Sequence, residues 1–170
     1  SERSRGLGDV YKRQIYGYAM TDSNIRTAVD AWLANPTAAE ATYGHISTWE
    51  TGGVTDMSHL FRGASSFNED IGAWDTSGVK DMSYMFDFAL QFNRDISGWA
   101  VHSVKSMYMM FYYASAFDQD LGWCVDDGVN LAYAFDDTLC ASTSCGVKQV
   151  AGGCAPTPAP TVTPLVADDS

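Results

Sequence analysis

The string FNEDIGAWDTSGVKDMSYMF, Phe67 to Phe86, returns almost unchanged as FNRDISGWAVHSVKSMYMMF, Phe92 to Phe111. A chain that repeats itself at a fixed spacing builds one structural unit several times, so the repeat limits the fold before any other feature does. Aligned at a period of 25, the units are Ile46–Asp70, Ile71–Asp95 and Ile96–Asp120. The first two share 13 identical residues of 25 and the second and third share 10. A degraded fourth unit begins at Leu121 and keeps Leu131, Ala134 and Phe135.

Within a unit the apolar positions have a helical spacing. Met57, Leu60, Phe61 and Ala64 fall at i, i+3, i+4 and i+7, as do Met82, Met85, Phe86 and Ala89, and then Met107, Met110, Phe111 and Ala114. That spacing predicts one face of a short helix. Asp56, Asp81 and Ser106 stand just before it, where an N-cap residue would accept bonds from the free N–H groups of the first turn. A second aromatic follows at Phe67, Phe92 and Phe117, and then the segments DIGAW, DISGW and DLGWC, each of a length to form a short strand. Gly, Ser, Thr and Asp then mark a turn leading into Val54, Val79, Val104 or Val129. The predicted fold class is an α/β repeat solenoid, leucine-rich-repeat-like, with one short parallel strand and one short helix per 25-residue coil.

The flanks complete the organisation. Residues 15–45 read as an N-terminal helical cap, with Thr21, Asp22 or Ser23 at its start, Ile25, Val29, Trp32 and Leu33 as its apolar stripe, and Pro36 after its end. Residues 46–120 are the three repeats, and 121–154 hold the fourth together with a cysteine-containing cap. Residues 155–170, APTPAPTVTPLVADDS, carry four of the five prolines and read as an extended linker or stalk. Residues 1–14, SERSRGLGDVYKRQ, hold four of the ten basic residues, lack periodicity, and read as a non-native, adapter-like segment.

Charge and cysteine usage narrow the setting. From Ile15 onward six basic residues face nineteen acidic ones, a balance that repels phosphate backbones and argues against nucleic acid as a partner. No apolar run is long enough to cross a membrane. Cys124, Cys140, Cys145 and Cys154 are even in number and clustered late, so they are disulfide candidates in an oxidising compartment, with all three pairings open. A four-cysteine zinc site is disfavoured because no C-x-x-C pair is present.

VTDMSHLFRGASSFNEDIGAWDTSGVKDMSYMF closely resembles the BspA-like leucine-rich-repeat surface proteins, and within them the mycoplasma-lipoprotein type with repeats of about 25 residues. The resemblance covers Ile46 to Asp120 and extends weakly to Phe135. Unit three departs from it, with WAVHSV in place of WDTSGV, which predicts a reshaped turn there. The resemblance implies a curved repeat protein, secreted or at the cell surface, engaged in adhesion through a protein or glycan partner. It implies no catalytic residue and no cofactor.

Several residue sets are candidates for a site. Asn68, Asp70, Asn93, Asp95, Asp118 and Asp120 recur near the expected strand as a ladder of oxygens of the kind calcium takes as ligands. The stronger reading is that they cap local N–H groups, as Asn and Asp do in turns. Trp49, Trp74 and Trp99 either pack inside or line an exposed aromatic strip. Phe61, Phe86, Phe111, Phe67, Phe92 and Phe117 are expected to be structural. His45, His59 and His102 share no metal-ligand spacing, and His59 and His102 occupy slots that vary between units. With G-x-S-x-G and H-E-x-x-H absent, a non-catalytic binding module is expected. The alternatives are a structural spacer or coat domain without a specific ligand, or a targeting module of a larger enzyme.

Overall fold

The structure, a computed structural model, describes residues 17–155 and Gly8. The adapter-like segment, Gly8 apart, and the Pro/Thr-rich stretch after Ala155 lie outside the described residues. Strand β1 (Ala19–Thr21) runs into helix α1 (Ile25–Ala34), whose Ile25, Ala28, Val29 and Trp32 are buried. Leu33, expected in that stripe, points outward and is 40% exposed. Pro36 does not simply follow the helix. It opens a second one, α2 (Pro36–Tyr43), where its missing N–H costs nothing and Asn35 caps the N–H of Ala38. A 3₁₀ turn (Ile46–Thr48) leads to β2 (Glu50–Gly53), which pairs in parallel with β1.

The α/β repeat solenoid is overturned. Among the described residues of 17–155 both α-helices precede the repeats, and the sheets are two parallel pairs, β1 with β2 and β3 (Cys124–Asp126) with β4 (Lys148–Val150). DIGAW and DISGW are β-turns rather than strands, closed by Trp74 N–H to Ile71 O (3.1 Å) and Trp99 N–H to Ile96 O (3.0 Å). Only the end of DLGWC enters a strand, at Cys124.

Nor is Met57–Ala64 a helix. Its N–H groups alternate in destination. Met57, His59, Phe61 and Gly63 donate to Asp81, Ser83, Met85 and Asp87 of the next unit at 2.7–2.9 Å. Leu60, Arg62 and Ala64 donate three residues back, to Met57, His59 and Phe61. The same pattern carries unit two to unit three and unit three to unit four, as in Phe86 N–H to Met110 O and Phe111 N–H to Ala134 O, both 2.8 Å. A run of linked β-turns thus keeps the helical side-chain spacing while sending alternate donors sideways. Asp56, Asp81 and Ser106 cap these turns, not helices: their side-chain oxygens accept from Ser58, Ser83 and Tyr108 N–H.

The lateral bonds bring equivalent side chains into columns. Phe61, Phe86, Phe111 and Phe135 stack face to face with centroids 5.5, 5.3 and 6.0 Å apart. Phe67, Phe92 and Phe117 form a second column at 5.9 Å. Trp49, Trp74, Trp99 and Trp123 form a third at 6.1–6.5 Å. Burying one such ring contributes about 1.5–3 kcal/mol and each aromatic pair about 0.5–1.5 kcal/mol more. Every indole N–H of the third column finds a main-chain carbonyl, Gly44, Ile46, Ile71 and Ser97 in turn. The turn in WAVHSV keeps its backbone closure but loses the side-chain bonds that Asp75 and Thr76 make in unit two. Val104 N–H meets Val101 O at 3.1 Å, matching Val79 to Thr76 at 3.0 Å.

The two ends are closed differently. At the front, the Asp22 carboxylate accepts from the Thr55 N–H and hydroxyl and from Asp56 N–H, which holds it below the usual carboxylate range, the Thr55 hydroxyl being the main cause. At the back, Cys124 is joined to Cys154 and Cys140 to Cys145, which ties β3 and a 3₁₀ segment (Ala141–Gly146) over the last rings.

Phe86 touches rings of its own unit and of both neighbours. Phe86→Ala is therefore expected to lose about 3–5 kcal/mol of unfolding free energy in urea. Leu139→Ala, at a side chain 67% exposed, should stay within about 0.5 kcal/mol.

Candidate ligand-binding face

Trp49, Trp74 and Trp99 are 3–4% exposed, so they belong to the core and form no exposed strip. Phe61, Phe86, Phe111, Phe67, Phe92 and Phe117 are likewise buried. The Asn and Asp positions are engaged in local bonding. Asn68 Oδ1 accepts from Asn93 N–H and Asn93 Oδ1 from Asp118 N–H, both at 3.0 Å. Asp70 and Asp95 accept from Gly72 and Ser97 N–H two residues on. Asp118 and Asp120 complete the row, and among the described residues no three His, Cys, Asp or Glu side chains are placed to hold a metal ion. An open groove of about 500 Å³ lies along Asp70, Arg94 and Asp95, its carboxylates already used by those turns. His59 and His102 lie exposed at the surface and His45 is half-buried against Trp32.

The surface that stands out was not marked by any repeated residue. Each turn run places two residues in the left-handed region, and these slots differ from unit to unit. The first holds His59, Tyr84, Met109 and Tyr133 (φ 63, 57, 53 and 57°) and the second holds Gly63, Phe88, Tyr113 and Asp137 (φ 70, 55, 54 and 61°). A left-handed residue with a Cβ costs roughly 1–2 kcal/mol relative to the right-handed form. Gly63 shows that the backbone needs no side chain there. Phe88 and Tyr113 nevertheless occupy the slot and remain 45% and 40% exposed.

These rings and their neighbours form two aromatic clusters on the exposed side of the turn runs. Phe88 and Tyr113 lie parallel, 4.9 Å apart, and Tyr112 meets both edge-on at 6.0 and 4.7 Å. His59 stacks on Tyr84 at 4.7 Å, Tyr84 contacts Tyr108 at 5.3 Å, and Tyr108 contacts Tyr133 at 6.1 Å. Leu90 and Leu139, exposed by 41% and 67%, add aliphatic surface. The signal available in the sequence was the reverse of repetition: aromatic residues in the slots that vary.

One charged pair crosses the face. Arg62 Nε lies 2.8 Å from Asp87 Oδ2, and its guanidinium carbon is 4.9 Å from the Tyr84 ring centre. Asp87 is 2% exposed and its Oδ1 has no protein partner. Burial pushes its carboxyl above the ordinary range, and the opposing pull of Arg62 is too weak to restore it.

A family model covers residues 33–145 of this chain, from the end of α1 through all four repeats. The chain belongs to the family described as Mycoplasma protein of unknown function, DUF285. The DUF285 match takes in every ring of the exposed face and both cysteines of the Cys140–Cys145 bridge. No curated protein and no solved structure matches the chain.

Two outcomes test this geometry. Gly63→Ala should cost about 1–2 kcal/mol although no neighbouring atom lies within 4 Å of the new Cβ, because the penalty is conformational. For Asp87, a raised carboxyl means that the native state holds its proton more tightly than the unfolded chain does. Its contribution is full below the unfolded carboxylate pKa and is lost as pH rises through the raised value. The stability of the wild type relative to Asp87→Asn should thus fall as pH rises from below the unfolded carboxylate range, as read by urea denaturation across a pH series.

Proposed function

We propose that this chain is a non-catalytic extracellular binding module whose aromatic face engages a protein partner. The observation that carries the reading is the pair Phe88 and Tyr113. Both accept backbone strain that Gly63 avoids at the same position, and both leave large apolar area in water. Strain and exposure of this kind gather at sites of function. Tyrosine and phenylalanine supply rigid contact area at small entropic cost, which suits the centre of a protein interface. Their arrangement favours a protein over a sugar. Phe88 and Tyr113 cover one face of each other and Tyr112 meets both edge-on, which leaves less open ring face than a sugar packs on.

The setting follows from two further supports. The disulfides Cys124–Cys154 and Cys140–Cys145 fit an oxidising compartment, and the resemblance to BspA-like surface proteins points to secretion or cell-surface display. The buried columns serve as the rigid support and take no part in contact.

The oxidised protein, immobilised and challenged with purified matrix and secreted proteins beside a glycan array, should retain a protein. Affinity should fall at least about tenfold in the Phe88→Ser, Tyr113→Ser double variant, as expected when central aromatic anchors are removed, with the buried columns intact by near-UV circular dichroism. Retention unchanged by the double variant, or binding confined to glycans, would contradict the reading. A blank across both panels would favour a spacer without a ligand.

A further inference from the structure

Unit two and unit four share three residues of a four-residue string. Tyr84-Met85-Phe86-Asp87 is matched by Tyr133-Ala134-Phe135-Asp136. Their backbones agree as well. Tyr84 and Tyr133 both sit at φ 57°, and the carbonyls of Asp87 and Asp136 accept from Gly63 and Tyr113 N–H at 2.7 and 3.0 Å. In unit two the Tyr–Asp pair holds a guanidinium. Arg62 comes from the preceding unit, pairs with Asp87 and lies over the ring of Tyr84. In unit four the slot that would supply that arginine holds Tyr112, which packs instead on Phe88 and Tyr113.

The second pair is therefore without its cation. Tyr133 is 54% exposed, Asp136 and Asp137 are exposed, and among the described residues Asp136 makes no ion pair. The chain has few basic groups to offer, six against nineteen acidic residues from Ile15 onward, and Arg26 and Arg62 are already committed to Asp56 and Asp87.

We infer that Tyr133 and Asp136 form a receptor for an arginine side chain of the partner protein, reproducing between molecules the Arg62–Asp87–Tyr84 arrangement seen within the chain. The aromatic face supplies apolar contact around it, and the acidic surface supplies the attraction that brings a basic segment in. Arginine fits better than lysine because a planar guanidinium stacks on a ring while donating sideways to a carboxylate. Burial is the main cause that raises the Tyr112 hydroxyl, and the nearby carboxylates of Asp137 and Asp136 add to it, in keeping with negative charge on this part of the surface.

The inference rests on the binding-face reading above and deepens it, and its test is scored at a different place. N-acetyl-arginine amide is titrated into the full oxidised chain at low salt, with N-acetyl-citrulline amide as the neutral isostere, and the Tyr133 ring resonances are followed by NMR. Arginine should shift them saturably in the millimolar range, with citrulline about threefold to tenfold weaker, as for a shallow ion pair joined to a cation–π contact. Asp136→Asn should bring the response to the citrulline level, and Tyr133→Ala should do the same to the shift of the Asp136 backbone amide, which is followed in parallel. Tyr112→Arg, which restores the arrangement of unit two, should fill the receptor from inside the chain and abolish probe binding while the fold is kept. Equal shifts from arginine and citrulline, or full binding in Asp136→Asn, would overturn the inference. So would an unmoved Tyr133 with partner retention through Phe88 and Tyr113 intact, and that outcome would leave the wider reading standing.

Discussion

The lateral hydrogen bonds between consecutive units govern everything else in this molecule. A unit of 25 residues holds too little apolar surface to form a core. At least five main-chain bonds cross each junction, in the first from Met57, His59, Phe61 and Gly63 and, running the other way, from Lys80 N–H to Thr55 O, and they fix the register of one unit on the next. With register fixed, Phe61, Phe86, Phe111 and Phe135 meet face to face, and so do the second phenylalanines of the first three units and the tryptophans of all four. The same requirement explains the buried threonines. Thr51 and Thr76 each donate a hydroxyl hydrogen to a main-chain carbonyl of the following unit, at Asp75 and Ala100.

That constraint also divides the residues of a unit by role. Side chains at the repeated positions point into the columns and are kept the same because each must lie on its own copy. Side chains at the left-handed slots point outward, free of that demand, and there the units diverge. Rigid columns beneath and varied rings above make a surface whose residues can change without touching the core.

The apolar positions were legible from spacing alone, since Met57, Leu60, Phe61 and Ala64 do share an inward direction. Their backbone was not. Linked β-turns and a short helix place side chains alike and differ in where the N–H groups go, and periodicity does not record that. Bulky left-handed residues such as Tyr84 and Phe88 carry no local sign of their conformation, because only glycine or asparagine would announce it. The tryptophans were open to either reading until each indole N–H was seen to have a carbonyl inside. The cysteine pairing depended on the path of Ala141–Val150, which lies beyond the repeats. The exposed aromatic residues lie in the slots that vary between units, and a repeat marks only the positions that recur.

The account stands on the alternating destinations of the amides, and through-hydrogen-bond scalar coupling reads them directly. In uniformly labelled protein, the amide of Phe86 should correlate with the carbonyl of Met110, that of Phe61 with Met85, and that of Phe111 with Ala134. Correlations instead to Met82, Met57 and Met107, each four residues back along the chain, would restore the helix and contradict the lateral pairing on which the columns and the exposed face depend.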